Sequence, residues 1–332
     1  MGVWPAEGTR SMEDWVSRKD LIDARRLKEL SRRSDTLAWL QVLSQFAALG
    51  VTGYGIHALW GSLWVVPVFL FHGAILWGFT YAGQHELVHL MVFRSRALND
   101  FFGHLASFLR IYPNSYQRFL HFTHHRHTKV AGLDPELLAQ KPWTFWGYLN
   151  FLAGPSYWIG QIRITVGHAL GHAPEAFLKE KERRIVIREA RLYLLGYALI
   201  AVLSVTFQTW AAVIYWWGPI LAATPFYRFY TAAEHHGRPN SASVIESTRT
   251  TKAGPVLRWL MWQMPYHTEH HLFPGVPFHK LGALCRELRE RPDSRLKGVN
   301  EVAPGYFAVH REIVAMIRRG EDPTFLAEAA RA

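Results

Sequence analysis

The sequence is poor in cysteine, with Cys285 the only one among 332 residues. A single cysteine cannot form an internal disulfide, and it cannot build a thiolate cluster or a rubredoxin-like centre on its own. Any redox metal bound by this chain must therefore use other ligands. Histidine is the abundant alternative, because the chain contains 18 of them.

Two long stretches lack charge entirely. No Asp, Glu, Lys or Arg occurs from Thr36 to Gln84 or from Leu192 to Tyr227. Each stretch exceeds the roughly 20 residues that cross a bilayer once, and each is interrupted near its middle, at residues 60–62 and 208–210. The pattern predicts an all-α integral membrane protein with four transmembrane helices in two hairpins. A soluble helical protein is the alternative, but such long uncharged runs leave its helices without a polar face.

The remaining segments are arranged around these hairpins. Residues 1–35 are predicted to form an amphipathic lead, residues 36–290 the membrane domain, and residues 291–332 C-terminal helices. The apolar segment from Leu98 to Tyr112 is short for a span, which predicts an interfacial or re-entrant helix. The aromatic segment 143–170 is expected at the headgroup level, and Lys179 to Arg191 is expected to be a charged link before the second hairpin. After Arg228 the chain is predicted to be soluble again.

Cations are distributed unevenly around the hairpins. Seven Lys and Arg residues lie at positions 18–33, whereas neither hairpin tip carries any. Basic residues near membrane segments are retained in the cytoplasm, so both termini and the polar sections are predicted to be cytoplasmic. The first segment is not expected to be a cleaved signal peptide, since 35 residues with several acidic side chains precede it. The formal charge of +11 suits anionic lipids and an acidic redox partner, and no nucleic-acid-binding motif accompanies it.

Histidines cluster in three short motifs. HELVH spans residues 85–89, HFTHH residues 121–125 and HTEHH residues 267–271. In a helix, positions i, i+3 and i+4 share one face, so each motif is predicted to direct its imidazoles to one point. All three motifs fall on the cytoplasmic side in the predicted topology, and so does the segment that contains His235 and His236. The predicted metal ligands are His85, His89, His121, His124, His125, His235, His267, His270 and His271.

Nine imidazoles suffice for two metal ions with four or five ligands each. Imidazole binds iron, copper and zinc alike, but a structural zinc site is complete with four ligands and has no redox chemistry. The number of ligands and the membrane setting favour a pair of iron ions. HELVH also matches the HExxH signature of zinc metalloproteases, an interpretation that the other clustered histidines disfavour. A metal transporter is the non-enzymatic alternative, but its histidines are expected inside the spans.

Polar residues beside these histidines are predicted to orient the rings by hydrogen bonds to the second ring nitrogen. They are Glu86, Asp134, Glu234, Glu269, His127 and His236. For each carboxylate the alternative is a solvated surface group. His57 and His72 lie in the first hairpin, where a structural hydrogen bond is expected. The histidines expected to be ordinary surface or interfacial residues are His104, His168, His172, His279 and His310.

The three motifs resemble the histidine boxes of the membrane fatty acid desaturase and hydroxylase superfamily. HELVH, HFTHHRHT followed by Asp134-Pro135, and HTEHHLFPGVPFHKL carry the resemblance, which covers roughly residues 36–290. Bacterial desaturases, carotenoid ketolases and carotenoid hydroxylases share the short first box. The segment at residues 234–237, Glu-His-His-Gly, resembles the Glu-His-Tyr-Gly motif of membrane alkane monooxygenases, which selects His235 and not His236 as a ligand.

This resemblance implies a non-haem diiron enzyme that uses O2 to oxidise an unactivated C–H bond of a lipid-like substrate, reached through an apolar tunnel. Desaturation of a fatty acyl chain is the first expectation, and hydroxylation or ketolation of a lipid, alkane or terpenoid is the second. The sequence has no His-Pro-Gly-Gly segment of a fused cytochrome b5. Electrons are therefore expected from a separate ferredoxin or rubredoxin with its reductase. The expected location is the bacterial inner membrane.

Overall fold

The protein is described by a computed structural model over residues 20–137, 143–291 and 293–324, and every structural statement refers to these ranges. Their regular structure is helical, with one isolated parallel bridge between Thr251 and Ala303. The predicted all-α class is confirmed. Residues 1–19 of the predicted N-terminal lead, including Arg18 and Lys19, lie outside the described residues. So do the last eight residues of the C-terminal segment.

The first predicted hairpin follows a short helix, α1 (Ala24–Leu30). Its first arm is α2 (Asp35–Ala58), and its second is α3 (Val65–Trp77), which continues through a π-helical turn (Gly78–Gly83) into α4 (Gln84–Val88). The chain reverses at residues 59–64, as predicted, and Gly61 adopts a φ of 86° there. Among the described residues, Val65–Val88 is the one helix long and apolar enough to cross a membrane.

Four helices connect the two hairpins. α5 (Arg96–Leu109) confirms the helix predicted over Leu98 to Tyr112, and α6 (Asn114–His127) carries the second histidine motif. The aromatic segment 143–170 forms two helices, α7 (Phe145–Ala153) and α8 (Pro155–Ala169). They meet at Gly154, whose φ of 79° ends α7 in the left-handed conformation that glycine adopts most readily.

The second hairpin begins earlier than predicted. α9 (Glu180–Thr206) includes most of the segment from Lys179 to Arg191, so the prediction of a separate charged link is wrong. These charges suit a helix: the Lys179 amide donates to Glu182 at 2.7 Å, and Arg184 pairs with Glu180 one turn away. The returning arm comprises a second π-helical turn (Val213–Trp217), α10 (Gly218–Ala222) and α11 (Thr224–His235). The predicted change of environment at Arg228 therefore falls inside a helix.

Large apolar side chains are exposed along both hairpins. Leu40 and Val51 in α2 are 61% and 72% exposed, and Leu195 and Val205 in α9 are 66% and 79% exposed. A continuous apolar surface of this kind suits lipid better than water. The number of spans stays a prediction, because only Val65–Val88 meets the criteria of length and apolarity among the described helices.

Two glycines of the first hairpin allow close packing, one against the second hairpin and one against the C-terminal part. A Cβ atom at Gly73 would lie 2.0 Å from the backbone oxygen of Pro219, and one at Gly78 would lie 2.2 Å from that of Leu260. Small residues at such contacts let helix backbones approach in membrane proteins. The second contact sets the π-helical turn against the segment that leads to the third histidine motif.

The C-terminal part caps the end of the bundle that carries the histidines. It contains α12 (Val244–Ser247), α13 (Pro255–Leu260), α14 (His267–Leu272), α15 (Phe278–Glu290) and α16 (Tyr306–Arg318). The sequence predicts amphipathic helices from about Lys280 onward, and α15 and α16 lie in that part of the chain. α16 packs on α11 and α7, so this part joins the rest of the described chain.

Candidate metal centre

The first histidine motif follows the π-helical turn. Such a turn adds a residue to the helix and changes the direction of the side chains that follow it, and π-turns are frequent at functional sites. His85 lies in α4, and His89 ends it. Arg110, which is 2% exposed, donates to the side chain of Gln84 at 2.5 Å and so holds the residue before His85.

The second motif is carried by α6, whose N-terminus is held by one carboxylate. The amides of Asn114 and Ser115 donate to Glu189 at 2.7 and 2.9 Å. Amides at a helix N-terminus lack intrahelical acceptors, and a carboxylate there also interacts favourably with the helix dipole. Glu189 therefore fixes α6, and the three histidines of the second motif on it, against α9.

The third motif is held from two sides. Gln45 of α2 donates to the carbonyl of Leu260 at 2.9 Å and accepts from the indole of Trp262 at 2.9 Å. Glu269 within the motif accepts from Thr250 at 2.6 Å and from Arg289 at 3.1 Å. These bonds fix the short helix α14 between the first hairpin and the C-terminal cap.

Five imidazoles converge in a first group, the five-histidine group. The Nε2 atom of His121 lies 2.9 Å from Nε2 of His89 and 2.9 Å from Nε2 of His125. Nε2 of His125 lies 3.2 Å from Nε2 of His270. Ring nitrogens of His85, His121, His125 and His270 all lie within 4.8 Å of one another. The group consists of His85, His89, His121, His125 and His270.

Four imidazoles form the neighbouring four-histidine group. Ring nitrogens of His124, His235 and His271 lie within 4.8 Å of one another, and Nε2 of His267 lies 2.8 Å from Nε2 of His235. The two groups adjoin, since the rings of His125 and His271 stack at 4.1 Å. All nine predicted ligands are thus brought together, but the prediction that each motif serves one point is wrong. The second and third motifs each divide their histidines between the groups.

The nitrogen positions fit a pair of metal ions. Ligands at right angles on a metal with bonds of about 2.1 Å lie about 3 Å apart. Four Nε2 pairs of the five-histidine group are 2.9 to 3.3 Å apart, and Nε2 of His267 and Nε2 of His235 in the four-histidine group are 2.8 Å apart. In addition, Nε2 of His271 has no hydrogen-bond partner among the described residues, although the residue is only 1% exposed. A buried polar atom without a partner is costly, and a bound cation would satisfy it.

Asp134 orients one member of the four-histidine group. Its carboxylate lies 2.9 and 3.0 Å from Nδ1 of His124 and also accepts from the amides of Lys129 and Glu136. Burial lowers the pKa of His124, but Asp134 and Glu136 outweigh it and raise that pKa to about 9. The hydrogen bonds to Asp134 hold a proton on Nδ1 and turn Nε2 toward the group, where a bound cation would take the place of the second ring proton.

Two further carboxylates face the groups. Glu86 lies 3.2 Å from Nδ1 of His270 and accepts from the amide of Phe278 at 2.9 Å. Glu234 lies 3.6 Å from Nδ1 of His267 and accepts from the hydroxyl of Tyr81 at 2.5 Å. Glu86 is fully buried and bound to protein atoms, which differs from the water-activating glutamate of an HExxH protease.

Burial decides between the two interpretations of the four carboxylates, whereas the expectations for Glu269, His168 and His310 are wrong. All four predicted carboxylates are buried, which excludes the solvated alternative: Glu86, Asp134, Glu234 and Glu269 are 0%, 1%, 7% and 0% exposed. Glu269 acts on α14 through Thr250 and Arg289 and not on an imidazole. Two histidines expected at the surface are buried and hydrogen-bonded: His168 to Glu175, and His310 to Tyr148 and the carbonyl of Phe229.

The remaining histidines lie outside the two groups. His72 makes the structural hydrogen bonds predicted for it, to Thr52 at 2.7 Å and to the carbonyl of Tyr215 at 3.0 Å, whereas His57 is exposed. The ring of His236 packs against Trp143 and Phe151, and His127 is half-buried at the end of α6. His104 and His172 are exposed and His279 is half-buried.

Sequence reasoning missed Tyr81 and Thr128. Tyr81 precedes His85 by four residues, a spacing that places both on one helical face, and Thr128 lies 3.2 Å from Nδ1 of His271. The helical spacing was a usable signal for Tyr81. No local pattern indicates Thr128, because its partner is distant in the chain.

Nine imidazoles in two adjoining groups, with carboxylates beside them at one end of an apolar helical bundle, are consistent with a metal site of a histidine-rich class of protein. The family model for fatty acid desaturases matches residues 74–302, more than half of the chain. The chain therefore belongs to the fatty acid desaturase family, and the resemblance drawn from the three motifs is confirmed. It is an enzyme of the oxidoreductase type that this family comprises.

Known relatives include both desaturases and ketolases. The sn-1 oleoyl-lipid 12-desaturase of Picosynechococcus sp. is 27% identical over 263 residues, which cover 74% of this chain and 74% of that protein. The chloroplastic omega-6 fatty acid desaturase of Spinacia oleracea is 24% identical and covers 84% of this chain and 65% of its own length. The beta-carotene 4-ketolase of Protosiphon botryoides is 28% identical over 64% of this chain and 50% of that protein.

Proposed function

We propose that the nine histidines hold two iron ions, one in each group, and that the chain desaturates the acyl chain of a lipid. The observation that carries the proposal is the convergence of nine ring nitrogens in two adjoining groups of five and four. Bound iron would supply the one-electron redox chemistry that activates O2 and removes hydrogen from an unactivated carbon. The chain's own part is to hold, orient and enclose these groups.

Three carboxylates divide the task of orientation. Asp134 is hydrogen-bonded to Nδ1 of His124 and fixes the direction of that ring. Glu86 and Glu234 lie 3.2 and 3.6 Å from Nδ1 of His270 and His267, and we propose that they orient these two rings when the metal ions are bound. Outer partners of this kind raise the basicity of a ligand and set its position. Tyr81 in turn holds Glu234, which links the four-histidine group to the helix that carries His85.

An apolar cavity supports a lipid substrate. It has a volume of ≈ 520 Å³, within the usual range of ligand pockets, and lies between α2, α3 and the second π-helical turn. Leu76, Leu109 and Trp216 line its inner part. Leu76 precedes His85 by nine residues, or about 14 Å along a helix. We propose that part of the acyl chain occupies this cavity and that the stacked rings of Trp77 and Tyr227 move aside to admit it.

Desaturation requires external electrons. Removal of two hydrogens from –CH2–CH2– with one O2, two electrons and two protons gives –CH=CH– and two waters. We propose that a separate ferredoxin or rubredoxin supplies the electrons, because Cys285 alone cannot hold an iron–sulfur cluster. We further propose a four-span membrane domain over residues 36–290, in a bacterial inner membrane, with the metal centre and both termini cytoplasmic.

Oxygen insertion is the second candidate, favoured by the similarity to beta-carotene 4-ketolases. The two reactions would use the same metal centre. In desaturation both oxygen atoms of O2 end in water, whereas in oxygen insertion one of them ends in the lipid product. Positioning of the substrate by about 1 Å decides such outcomes.

Mass spectrometry of lipids from a bacterial host grown under ¹⁸O2 tests both candidates. Desaturation predicts lipids that lack two hydrogens and carry no ¹⁸O, and ketolation or hydroxylation predicts ¹⁸O in the product. A His121→Ala variant, matched by exposed His172→Ala, should abolish either product. Host lipids and added carotenoids that are unchanged by the iron-loaded protein with an active electron carrier would refute the proposal.

A further inference from the structure

One face of α6 combines an exposed aromatic ring with cations. Arg118, Phe122 and Arg126 are spaced by four residues, so they lie along one side of the helix. Phe122 is 40% exposed. Arg126 is exposed and forms no ion pair among the described residues. These three residues are called the α6 outer face.

The α6 outer face touches the metal centre. The ring of Phe122 lies 5.4 Å from that of His89, and Nε2 of His89 lies 2.9 Å from Nε2 of His121. His89 and His125 are half-buried, whereas His85, His121 and His270 are buried. The five-histidine group is therefore least covered beside this face. A partner seated on Phe122 would be separated from a ligand ring by one side chain.

The face is positively charged. Asp100 accepts from Arg118 at 2.8 Å and from Arg96 at 3.3 Å, so two guanidinium groups share one carboxylate. Together with Arg126, which lies two helical turns beyond Arg118, these side chains comprise three guanidinium groups and one carboxylate, a sum of two positive charges. A basic surface attracts an acidic partner and accelerates its association.

We infer that the α6 outer face is the docking surface for an acidic iron–sulfur electron carrier. This inference rests on the proposed function, because it assigns the route by which the two electrons of each turnover arrive. At each encounter the reduced carrier would give up one electron, and Phe122 and His89 are the side chains that would lie between the carrier and the iron held by the five-histidine group. Reduction of one O2 to two waters takes four electrons. The substrate provides two of them, and two encounters with the carrier provide the other two.

The composition of the face favours a protein over a lipid surface. Arginine and aromatic residues are enriched in protein interfaces, where an aromatic ring surrounded by a polar rim is a typical centre of affinity. Electron-transfer contacts are small, so a surface of a few side chains is sufficient. A membrane contact would explain the ring and the cations, but it would not explain their position against His89.

Binding of a plant-type [2Fe–2S] ferredoxin, which is acidic, tests the inference. The iron-loaded protein is placed in nanodiscs of zwitterionic lipid, and the Kd and the rate of ferredoxin reoxidation are measured at low and high salt. The variants are Arg126→Glu and Phe122→Ala, and the matched control is Arg311→Glu on the exposed side of α16. Iron content of each variant reports whether the centre is intact. A rubredoxin, also acidic, is run in parallel.

Arg126→Glu is expected to weaken carrier binding about tenfold at low salt, and Phe122→Ala to slow reoxidation, while Arg311→Glu changes Kd less than about twofold. Equal losses in both charge reversals would overturn the inference in favour of general attraction. Wild-type affinity for the carrier in both Arg126→Glu and Phe122→Ala would also overturn the inference, even if these variants bind anionic vesicles more weakly than the wild type. A wild-type protein that binds neither the ferredoxin nor the rubredoxin would overturn it as well. Binding as expected without any lipid product would instead refute the proposed function.

Discussion

Replacing Asp134 with Asn should remove one iron and spare the other. The carboxylate is 1% exposed and accepts from Nδ1 of His124 and from two backbone amides. An asparagine offers one acceptor oxygen and directs an NH2 group at the remaining donors. Loss of a charge-assisted hydrogen bond costs about 1.5–3 kcal/mol, which agrees with the roughly 10–100-fold loss of metal affinity seen when outer partners are removed.

The assay is iron content per chain after dialysis against a series of chelator-buffered solutions. Asp134→Asn should retain about one iron where the wild type retains two, because the five-histidine group has its own partner in Glu86. Asp100→Asn is the matched control, since that carboxylate binds arginines at the surface and no imidazole. Retention of both irons at wild-type affinity would refute the role of the carboxylate. Simultaneous loss of both, with helix content intact, would refute the division into two groups.

Two further predictions concern other parts of the protein. Tyr81→Phe removes the hydroxyl that donates to Glu234 and should slow lipid oxidation about tenfold. Iron content should be unchanged, so initial rates and metal analysis are measured on the same sample. An unchanged rate would show that Tyr81 does not help to orient the site. Gly73→Ala should lower the unfolding temperature, since overpacking costs about 1–3 kcal/mol and the new Cβ would lie 2.0 Å from a backbone oxygen. Gly50→Ala, with no atom within 4 Å of the added Cβ, should not lower it in the same circular-dichroism melt.

The nine histidines could be predicted from the sequence because their pattern is local. Helical spacing of three and four residues groups side chains on one face whatever surrounds the helix. The same spacing could not predict the division between the groups. Position i+4 is rotated by about 40° from position i in one direction and position i+3 by about 60° in the other. This difference agrees with the observed division, in which His121 and His125 belong to one group and His124 to the other, but it does not by itself indicate whether one site or two form. Only the placement of the neighbouring helices decides this.

Other features depend on tertiary contacts that leave no local signature. The start of α9 could not be predicted, because the charged residues mark where the apolar segment begins and not where the helix begins. Glu180 and Arg184 lie in the same helix as Leu192. The support of α14 by Gln45 joins residues more than two hundred positions apart. Asp134 was identified because it follows the second motif closely, whereas Glu269 faces away from the imidazoles despite lying inside the third.

The most direct test of the metal centre is Mössbauer spectroscopy of the protein purified from cells supplied with ⁵⁷Fe, with total metal measured on the same sample. Two adjoining groups of five and four imidazoles predict about two irons per chain in two distinct histidine-rich environments. The His124→Ala variant should lose the signal of one environment. A single zinc per chain that is unaffected by His124→Ala would contradict the diiron assignment and return HELVH to the metalloprotease interpretation.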